Sequence, residues 1–170
     1  MASLYTPVTG AVVGTTAYFK GKLVGRDVAI TLPDVTPMTV TLPMMGEMEF
    51  PLWQLISNMQ ATVTKVGIDV LSQTMMSPEL APIEFRWAQQ VQKMDGTSAV
   101  VGCKAFLNGL LSTLPGGSLE VGSASENDHT LNLIRYRLVI DGQEVVLVDR
   151  TAGKVVVNGK DYTKSTNALL

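Results

Sequence analysis

The chain has 170 residues, which is enough to bury the core of one domain. Its net charge of −2 excludes the lysine and arginine excess that tight nucleic-acid binding requires. Charged residues make up only 16% of the chain, below the usual quarter. We therefore expect a single domain, 1–170, whose surface either is partly covered in an assembly or belongs to a Gly- and Thr-rich β domain.

Neither the cysteine content nor the apolar runs suggest a secreted or membrane protein. The single cysteine, Cys103, excludes an intramolecular disulfide. The first residues carry no basic segment before an apolar core, and no apolar run approaches the roughly 20 residues of a membrane span. We therefore expect synthesis and folding in the cytoplasm.

The N-terminal third begins with residues 1–14, which lack periodicity and predict an extended arm. Residues 15–21 and 23–32 are apolar runs that predict two strands joined by a turn at Gly21-Lys22. Pro33 ends the second strand, because proline has no N–H to donate to a ladder.

A segment rich in methionine and proline follows at 33–53. Its four prolines exclude a helix or a central strand. Residues 38–42 and 47–52 predict the two arms of a hairpin that turns at 44–46. Because methionine adapts to irregular apolar surfaces, two interpretations stay open. The segment is either a loop folded on its own core or a protruding hairpin buried only against another subunit.

The middle of the chain predicts strands around one helix. Residues 58–66 alternate as a strand does. Residues 67–77 predict a short helix, because Ile68, Leu71 and Met75 share one face and a proline follows.

The next hairpin is predicted from strands at 83–92 and 98–111, with a turn at Asp95-Gly96. Within its second arm, Gly102 and Gly109 predict bulges or a close approach of two backbones. Residues 115–128 have the composition of a variable loop.

The C-terminal stretch 133–162 predicts a β-meander. Its Val- and Ile-rich runs are separated by Asp141-Gly142, Ala152-Gly153 and Asn158-Gly159. Asp-Gly and Asn-Gly favour two-residue hairpin turns, whose central residues need positive φ. The predicted fold class is all-β, a β-barrel or sandwich of about eight strands, with one short α-helix and a long protruding β-hairpin loop.

Residues that could carry chemistry are few. His129, the only histidine, falls in a polar loop with Glu126 and Asp128, where we expect it to be solvated. Cys103 is expected to be a small, partly buried strand residue. The sequence has no phosphate-binding loop, no dinucleotide fingerprint and no metal-ligand spacing. We predict no catalytic, cofactor-binding or metal residues, no cofactor and no enzymatic activity.

The meander resembles the C-terminal end of the major tail tube protein family of contractile-tailed bacteriophages and R-type bacteriocin or contractile injection particles. The resemblance rests on YRLVIDGQEV at 136–145, VD at 148–149, VNGKD at 157–161 and the apolar end ALL at 168–170. Upstream, ITLP at 30–33 and the paired strands from 85 to 116 are also similar. The family's long loop usually carries an Arg-Gly-Gly-rich run, where this chain has LPMMGEM at 42–48, and the arm 1–14 matches weakly.

The resemblance implies a hexameric ring in which the subunits join into a continuous inner barrel. It implies that rings stack into a hollow tube within a contractile sheath, as a conduit for DNA in a phage or as a puncturing tube. The implied partners are the tail sheath protein, baseplate or hub and tail terminator proteins, and a tape measure protein in the lumen. DNA passes without specific binding, and there is no small-molecule substrate. The implied location is the virion tail, assembled in the host bacterial cytoplasm.

The predicted contacts between subunits are regional. Residues 38–52 are expected to join ring to ring, and 115–128 to lie at the ring edge or the lumen mouth. The individual candidates are apolar and expected to be exposed: Met38, Val40, Leu42, Met44, Met45, Met48, Phe50, Leu119, Leu169 and Leu170. Two other functions stay open, a monomeric β-barrel that binds a small apolar ligand and a hydrolase that uses His129 as its base.

Overall fold

Long antiparallel strands dominate the computed structural model, which describes residues 8–67, 78–92 and 96–169. These ranges contain twelve strands and one helix, in the order β1 (Val8–Phe19), β2 (Lys22–Arg26), β3 (Ala29–Thr31), β4 (Pro37–Pro43), β5 (Glu47–Ile56), β6 (Gln60–Val66), β7 (Ala81–Gln92), β8 (Ser98–Thr113), β9 (Glu126–Ile140), β10 (Gln143–Asp149), β11 (Lys154–Val157), β12 (Lys160–Asp161) and α1 (Lys164–Asn167). The all-β class and the predicted hairpin at β4–β5 are confirmed. The helix predicted at 67–77 lies, apart from Gly67, outside the described residues.

The main sheet is built on β9. One edge of β9 pairs with β8, while the other edge pairs with β10 in its C-terminal half and with β6 in its N-terminal half. From β8 the sheet continues through β7 and β1 to β2, and from β6 it continues to β3. Because β2 and β3 follow one another along the chain, the sheet returns on itself and encloses a core.

The prediction of a single strand at 23–32 is wrong, because this segment forms two short strands that pair with different neighbours. β2 pairs with β1 and β3 pairs with β6. Between them Asp27 has a φ of +54°, which breaks the ladder, and Val28 is buried. This break carries the chain from one side of the enclosed core to the other.

The N-terminal strand is longer than predicted. Residues 8–14, expected to form part of an extended arm, are the start of β1 and pair with β7. The turn after β1 lies at Lys20-Gly21, one residue earlier than expected, and both residues have positive φ. Residues 1–7 lie outside the described ranges.

Inward-pointing side chains of eight strands fill the core, together with Val28 and Met59 from the connections between strands. They alternate with outward ones along each strand, as period-two patterning requires. The buried apolar residues of this core are Ala17, Phe19, Val24, Val28, Met59, Ala61, Val63, Ile83, Phe85, Ala105, Leu107, Leu131, Leu133, Tyr136, Val148 and Val155. Cys103 is also buried on β8, which confirms the prediction of a strand residue.

The predicted meander is confirmed in β9 to β12. Asp141-Gly142 joins β9 to β10, and Asn158-Gly159 joins β11 to β12. Both residues of each turn have positive φ, between +49° and +78°, the backbone geometry of a type I′ turn. The turn chemistry read from the sequence therefore sets the register of this part of the sheet.

The predicted solvated loop at His129 is wrong, because β9 already begins at Glu126. His129 and Asn127 point inward, and each is only 1% exposed. The Asn127 amide donates to the carbonyl of Gly67. Within the part of the chain that the structure describes, neither ring nitrogen of His129 has a hydrogen-bond partner.

Polar residues on the outward side of β9 form a ladder of side-chain hydrogen bonds with β6. Asp128, Thr130 and Asn132 stand opposite Thr64, Thr62 and Gln60 of β6 and exchange side-chain hydrogen bonds with them. Asp128 is therefore a strand residue held by a threonine hydroxyl, and the expectation of an acidic loop is wrong. A strand that is polar on both faces lacks the alternation by which strands are recognised.

The two strand glycines of β8 differ. The register between β8 and β9 shifts at Asn108/Gly109, which confirms a bulge at Gly109. A Cβ there would lie 2.5 Å from the carbonyl oxygen of Asn132. Gly102 sits in a regular part of the ladder, and a Cβ there would meet nothing within 4 Å, so the bulge predicted there is wrong.

Gly109→Ala should destabilise the domain by about 1–3 kcal/mol, because the added methyl group meets backbone that cannot move aside. Gly102→Ala is the matched control, on the same strand with open space around it, and should change the free energy of unfolding by less than about 0.5 kcal/mol. Urea unfolding of both variants measures this, and equal effects would contradict the close approach at Gly109.

The stability of the subunit should fall as the pH drops below about 6.5. Burial lowers the pKa of His129, an effect that Asp128 opposes and Lys65 reinforces. As the pH falls, the unfolded chain therefore binds the proton on His129 at a higher pH than the folded chain does. The contribution of neutral His129 to the free energy of unfolding is fully present above the unfolded pKa and is lost as the pH falls toward the folded pKa.

His129→Leu should remove this part of the pH dependence. We expect the difference in urea unfolding midpoint between pH 7.5 and 5.5 to be smaller in the variant than in the wild-type subunit. Identical differences in the two proteins would show that His129 has the same pKa in the folded and unfolded states, which would contradict the effect of its burial.

Candidate assembly surfaces

The β4–β5 hairpin forms a separate two-stranded sheet with two chemically different faces. One face carries the cross-strand pairs Met38–Leu52, Val40–Phe50 and Leu42–Met48, and is the apolar face. The other carries Thr39–Pro51, Thr41–Glu49 and Pro43–Glu47, and is the polar face. The sequence alternation thus produces an amphipathic ribbon.

The apolar face of the hairpin is uncovered by the rest of the described chain. Met38, Leu42 and Met48 are 50%, 42% and 51% exposed, whereas Phe50 and Leu52 are half-buried. The structure therefore favours the protruding hairpin over a loop folded on its own core. A two-stranded hairpin is marginally stable by itself in water, so this face is a candidate for burial against another chain.

The tip of the hairpin is a three-residue turn at 44–46. Met44 and Met45 are exposed there, Met45 fully so. Met45 has a φ of +52° and Gly46 a φ of +131°, and the amide of Met44 donates to the Gly46 carbonyl. The turn therefore presents two methionine side chains to solvent on a closed backbone loop.

The base of the hairpin is fixed to the C-terminal meander. The ring of Trp53 lies 5.8 Å from the ring of Tyr162. Arg150, in the turn between β10 and β11, donates its guanidinium to the backbone carbonyls of Ile56, at 3.1 Å, and Ser57. These contacts set the direction in which the hairpin leaves the domain. Sequence reasoning missed them, because an arginine after a strand end carries no signal of a partner 94 residues away.

The remaining predicted contact residues lie on other elements. Leu119 is exposed in the connection between β8 and β9, as is the neighbouring Val121. Leu169 is exposed just after α1, and Leu170 lies outside the described residues. The structure brings Met38, Val40, Leu42, Met48 and Phe50 together on one face, and does not place Leu119 or Leu169 on it.

Two strand edges extend beyond the enclosed core. β1 pairs with β2 only from Thr16 onward, so among the described residues its edge at 8–14 is unpaired on that side. β8 pairs with β9 only from Cys103 onward, and its edge at 98–101 is likewise unpaired. Val12 and Val100, at these edges, are 55% and 66% exposed. Such edges are able to pair with another chain.

The outer face of β1, β7, β8 and β9, which points away from the core, carries arginines in cross-strand or same-strand ion pairs. Arg86 donates to Glu84 at 2.6 Å and Arg137 to Glu144 at 2.5 Å. Arg135 lies 3.4 Å from Asp149. The hydrogen bond with Glu84 raises the pKa of Arg86. These guanidinium groups therefore already have anionic partners within the subunit.

Two of these guanidinium groups also lie against aromatic rings. Arg86 is 4.6 Å from the ring centre of Tyr18, and Arg137 is 5.6 Å from that of Phe106. Stacking and ion pairing together hold the arginines flat on the sheet. The charges of these two arginines are consequently held in place on this face.

The described residues offer little for catalysis or metal binding. Burial raises the pKa of the Cys103 thiol, which disfavours the thiolate that nucleophilic chemistry needs. In the described ranges no three His, Cys, Asp or Glu side chains come together as a metal site. Among the same described residues, no helix is both long enough and apolar enough to span a membrane.

Comparison with known proteins identifies related sequences and folds. The family model described as phage tail tube protein FII matches residues 11–170. No curated protein matches the sequence. Two similar solved structures come from an extracellular contractile injection system in its extended state. The first is the PVC sheath/tube terminator, with 12% identity, a TM-score of 0.54 and coverage of 81% of this chain and 99% of that chain. The second is from the PVC sheath-tube complex, with 15% identity, a TM-score of 0.52 and coverage of 80% and 92%. These two likenesses show the fold.

Arg150→Ala should loosen the hairpin while the domain stays folded. The variant loses the donors to Ile56 and Ser57, so we expect faster amide hydrogen exchange in β4 and β5, and a change in global stability of about 1 kcal/mol or less. Arg26→Ala, an exposed arginine on β2, is the control. Unchanged exchange in Arg150→Ala would show that the aromatic contact alone fixes the base.

Proposed function

Since this chain belongs to the phage tail tube protein FII family and is a structural subunit of a tail tube, we propose that six copies close into a ring and that the rings stack into a hollow tube inside a contractile sheath. The observation that carries this function is the family match across residues 11–170.

The unpaired strand edges support ring closure. The β1 edge at 8–14 and the β8 edge at 98–101 lie on opposite sides of the same three-stranded extension, β1–β7–β8. An edge on one side of a subunit and another on the opposite side make a head-to-tail contact, which closes into a ring when the rotation fits. We propose that neighbouring subunits join their sheets through these edges, so that the ring has a continuous inner wall.

The β4–β5 hairpin supports stacking. Its apolar face is too exposed to be stable when solvated on every subunit, and it protrudes from the sheet that forms the wall. Residues Met38, Val40, Leu42, Met44, Met45, Met48 and Phe50 are therefore proposed as contacts between rings. Leu119, Leu169 and Leu170 remain proposed contacts at the ring edge and at the chain end.

We propose that the outer face of β1, β7, β8 and β9 lines the lumen, because it is the broad face of the strands whose edges meet the neighbours. Arg86, Arg135 and Arg137 have carboxylate partners there, so they offer little free charge to phosphates. DNA would then pass without being held, and a tape measure protein would occupy the same space before ejection.

The other proposed partners are proteins that would contact the outside and the two ends of the tube. The similar structures belong to a sheath-tube complex and a sheath/tube terminator, which supports a sheath protein outside the tube and a terminator at its end. A baseplate or hub protein would hold the opposite end. The protein is associated with the virion tail, and we propose that it is assembled there from subunits made in the host bacterial cytoplasm.

We propose that the chain has no enzymatic activity and no cofactor, in keeping with its structural family. The hydrolase alternative needs His129 as a base, yet this histidine is buried in the barrel wall and 1% exposed. The alternative of a barrel that binds a small apolar ligand needs interior space, and Met59, Val63 and Leu131 fill the interior.

Purified wild-type protein should form rings and tubes in negative-stain micrographs. The variant Val40→Thr/Leu42→Gln/Met48→Gln makes the apolar face polar and should form rings but few tubes. Losing three apolar contacts at each interface should raise the concentration needed for tubes by more than about tenfold.

Thr39→Gln changes the polar face of the same strand, away from the tip, and is the matched control, which should form tubes as wild type does. Circular dichroism checks that both variants stay folded. Tubes formed equally by the apolar-face variant would remove the hairpin from the stacking contact, and wild-type protein that stays monomeric at every salt concentration would contradict the tube itself.

A further inference from the structure

A cleft of about 340 Å³ lies between the base of the β4–β5 hairpin and the β10–β11 hairpin of the same subunit. Its floor is apolar and includes Met38, Leu55 and Val155, of which Leu55 is 52% exposed. Its rim carries the cations Arg150 and Lys154. The cleft thus combines an apolar floor with a basic rim, and it opens beside the apolar face of the hairpin.

Neither cation of this rim is held in a direct ion pair within the described part of the subunit. Arg150 donates to two uncharged backbone carbonyls. Lys154 forms no ion pair within 4.0 Å among the described residues, and its charge interacts at longer range with Asp161. The carboxylate that does line the cleft, Asp149, already accepts from the backbone amides of Thr151 and Ala152 and lies near Arg135. Because no carboxylate of the described residues binds either cation directly, both can form an ion pair with an anionic group from outside.

The tip of the hairpin has the complementary chemistry. Met44 and Met45 project from the turn, and Glu47 and Glu49 lie just behind it on the polar face. Neither glutamate has an ion pair among the described residues. The tip therefore presents two apolar side chains beside two unpaired negative charges, which match the floor and the rim of the cleft.

The tip cannot reach the cleft of its own subunit, because the two lie at opposite ends of one straight ladder. β4 has seven residues, so the tip and the base are about 24 Å apart. The partner that carries the right chemistry is a second copy of the chain. A contact between two different surfaces of identical subunits is head-to-tail and leaves one tip and one cleft open at the ends, so it can continue without limit.

We propose that the hairpin tip of one subunit docks into the cleft between hairpin base and β10–β11 of a subunit in the next ring. Met44 and Met45 fill the apolar floor, and Glu47 and Glu49 face Arg150 and Lys154. This contact rests on the proposed stacking of rings and names the surface that receives the hairpin.

Charge reversal of tip and rim tests the contact. In 50 mM salt we expect the full-length variants Glu47→Lys/Glu49→Lys and Lys154→Glu each to raise the protein concentration needed for sedimentable tubes by about tenfold. The combined variant Glu47→Lys/Glu49→Lys/Lys154→Glu should return to within about threefold of wild type. Lys22→Glu, on β2 outside the cleft, is the control and should assemble as wild type does. Arg150 is left unchanged because it also holds the hairpin base.

The possible outcomes test the docking contact separately from tube formation. Loss in both variants with recovery in the combined one supports docking of tip into cleft. Wild-type tubes together with unchanged tubes of Glu47→Lys/Glu49→Lys, or losses without recovery, would overturn the contact and leave the tube standing. Retained tubes with lost binding of the sheath protein would assign the tip to the sheath and also overturn it. Wild-type protein without rings or tubes would overturn both.

Discussion

The exposed apolar face of the β4–β5 hairpin is the feature on which our account of assembly depends. Two strands make a ladder but no core, and the side chains of Met38, Leu42 and Met48 remain in contact with water in the free subunit. Exposure of such a face to water destabilises an isolated subunit, whereas its burial against another subunit contributes favourable binding free energy. The subunit is accordingly best understood as one part of a larger object.

The way in which the hairpin is held determines what it can bind. The Trp53–Tyr162 contact and the guanidinium of Arg150 fix its base to the last strands of the sheet. The hairpin therefore projects in one direction while its apolar face stays open. The same arginine borders the cleft that we assign to the neighbouring tip, so the residue that aims one hairpin also lies in the site that receives the next.

The wall of the domain is independent of the hairpin. The sheet closes because Asp27 breaks the run after β2 and sends β3 to β6, and the enclosed core is apolar throughout most of its length. β1 and β8 extend past this core and keep free edges. In the proposed tube, one part of the chain supplies stability, a second supplies the lateral edges and a third supplies the axial contact.

Much of the wall could be predicted from the sequence, because local chemistry determines it. Asp141-Gly142 and Asn158-Gly159 specify their turns, and alternation specifies β6, β7 and β8. His129 and Asn127 could not be placed, because a strand that is polar on both faces shows no period. The break at Asp27 depends on which strand lies opposite, and the role of Arg150 depends on a contact 94 residues away. The sequence predicts that the hairpin is a two-stranded ribbon. It does not predict the direction in which the hairpin leaves the domain.

The most direct measurement is a cryo-electron microscopy reconstruction of tubes assembled from the wild-type chain. We expect sixfold rings in which the apolar face of every β4–β5 hairpin is covered by a subunit of the adjacent ring. A tube in which these hairpins stay solvated, or in which rings contact one another without them, would contradict it.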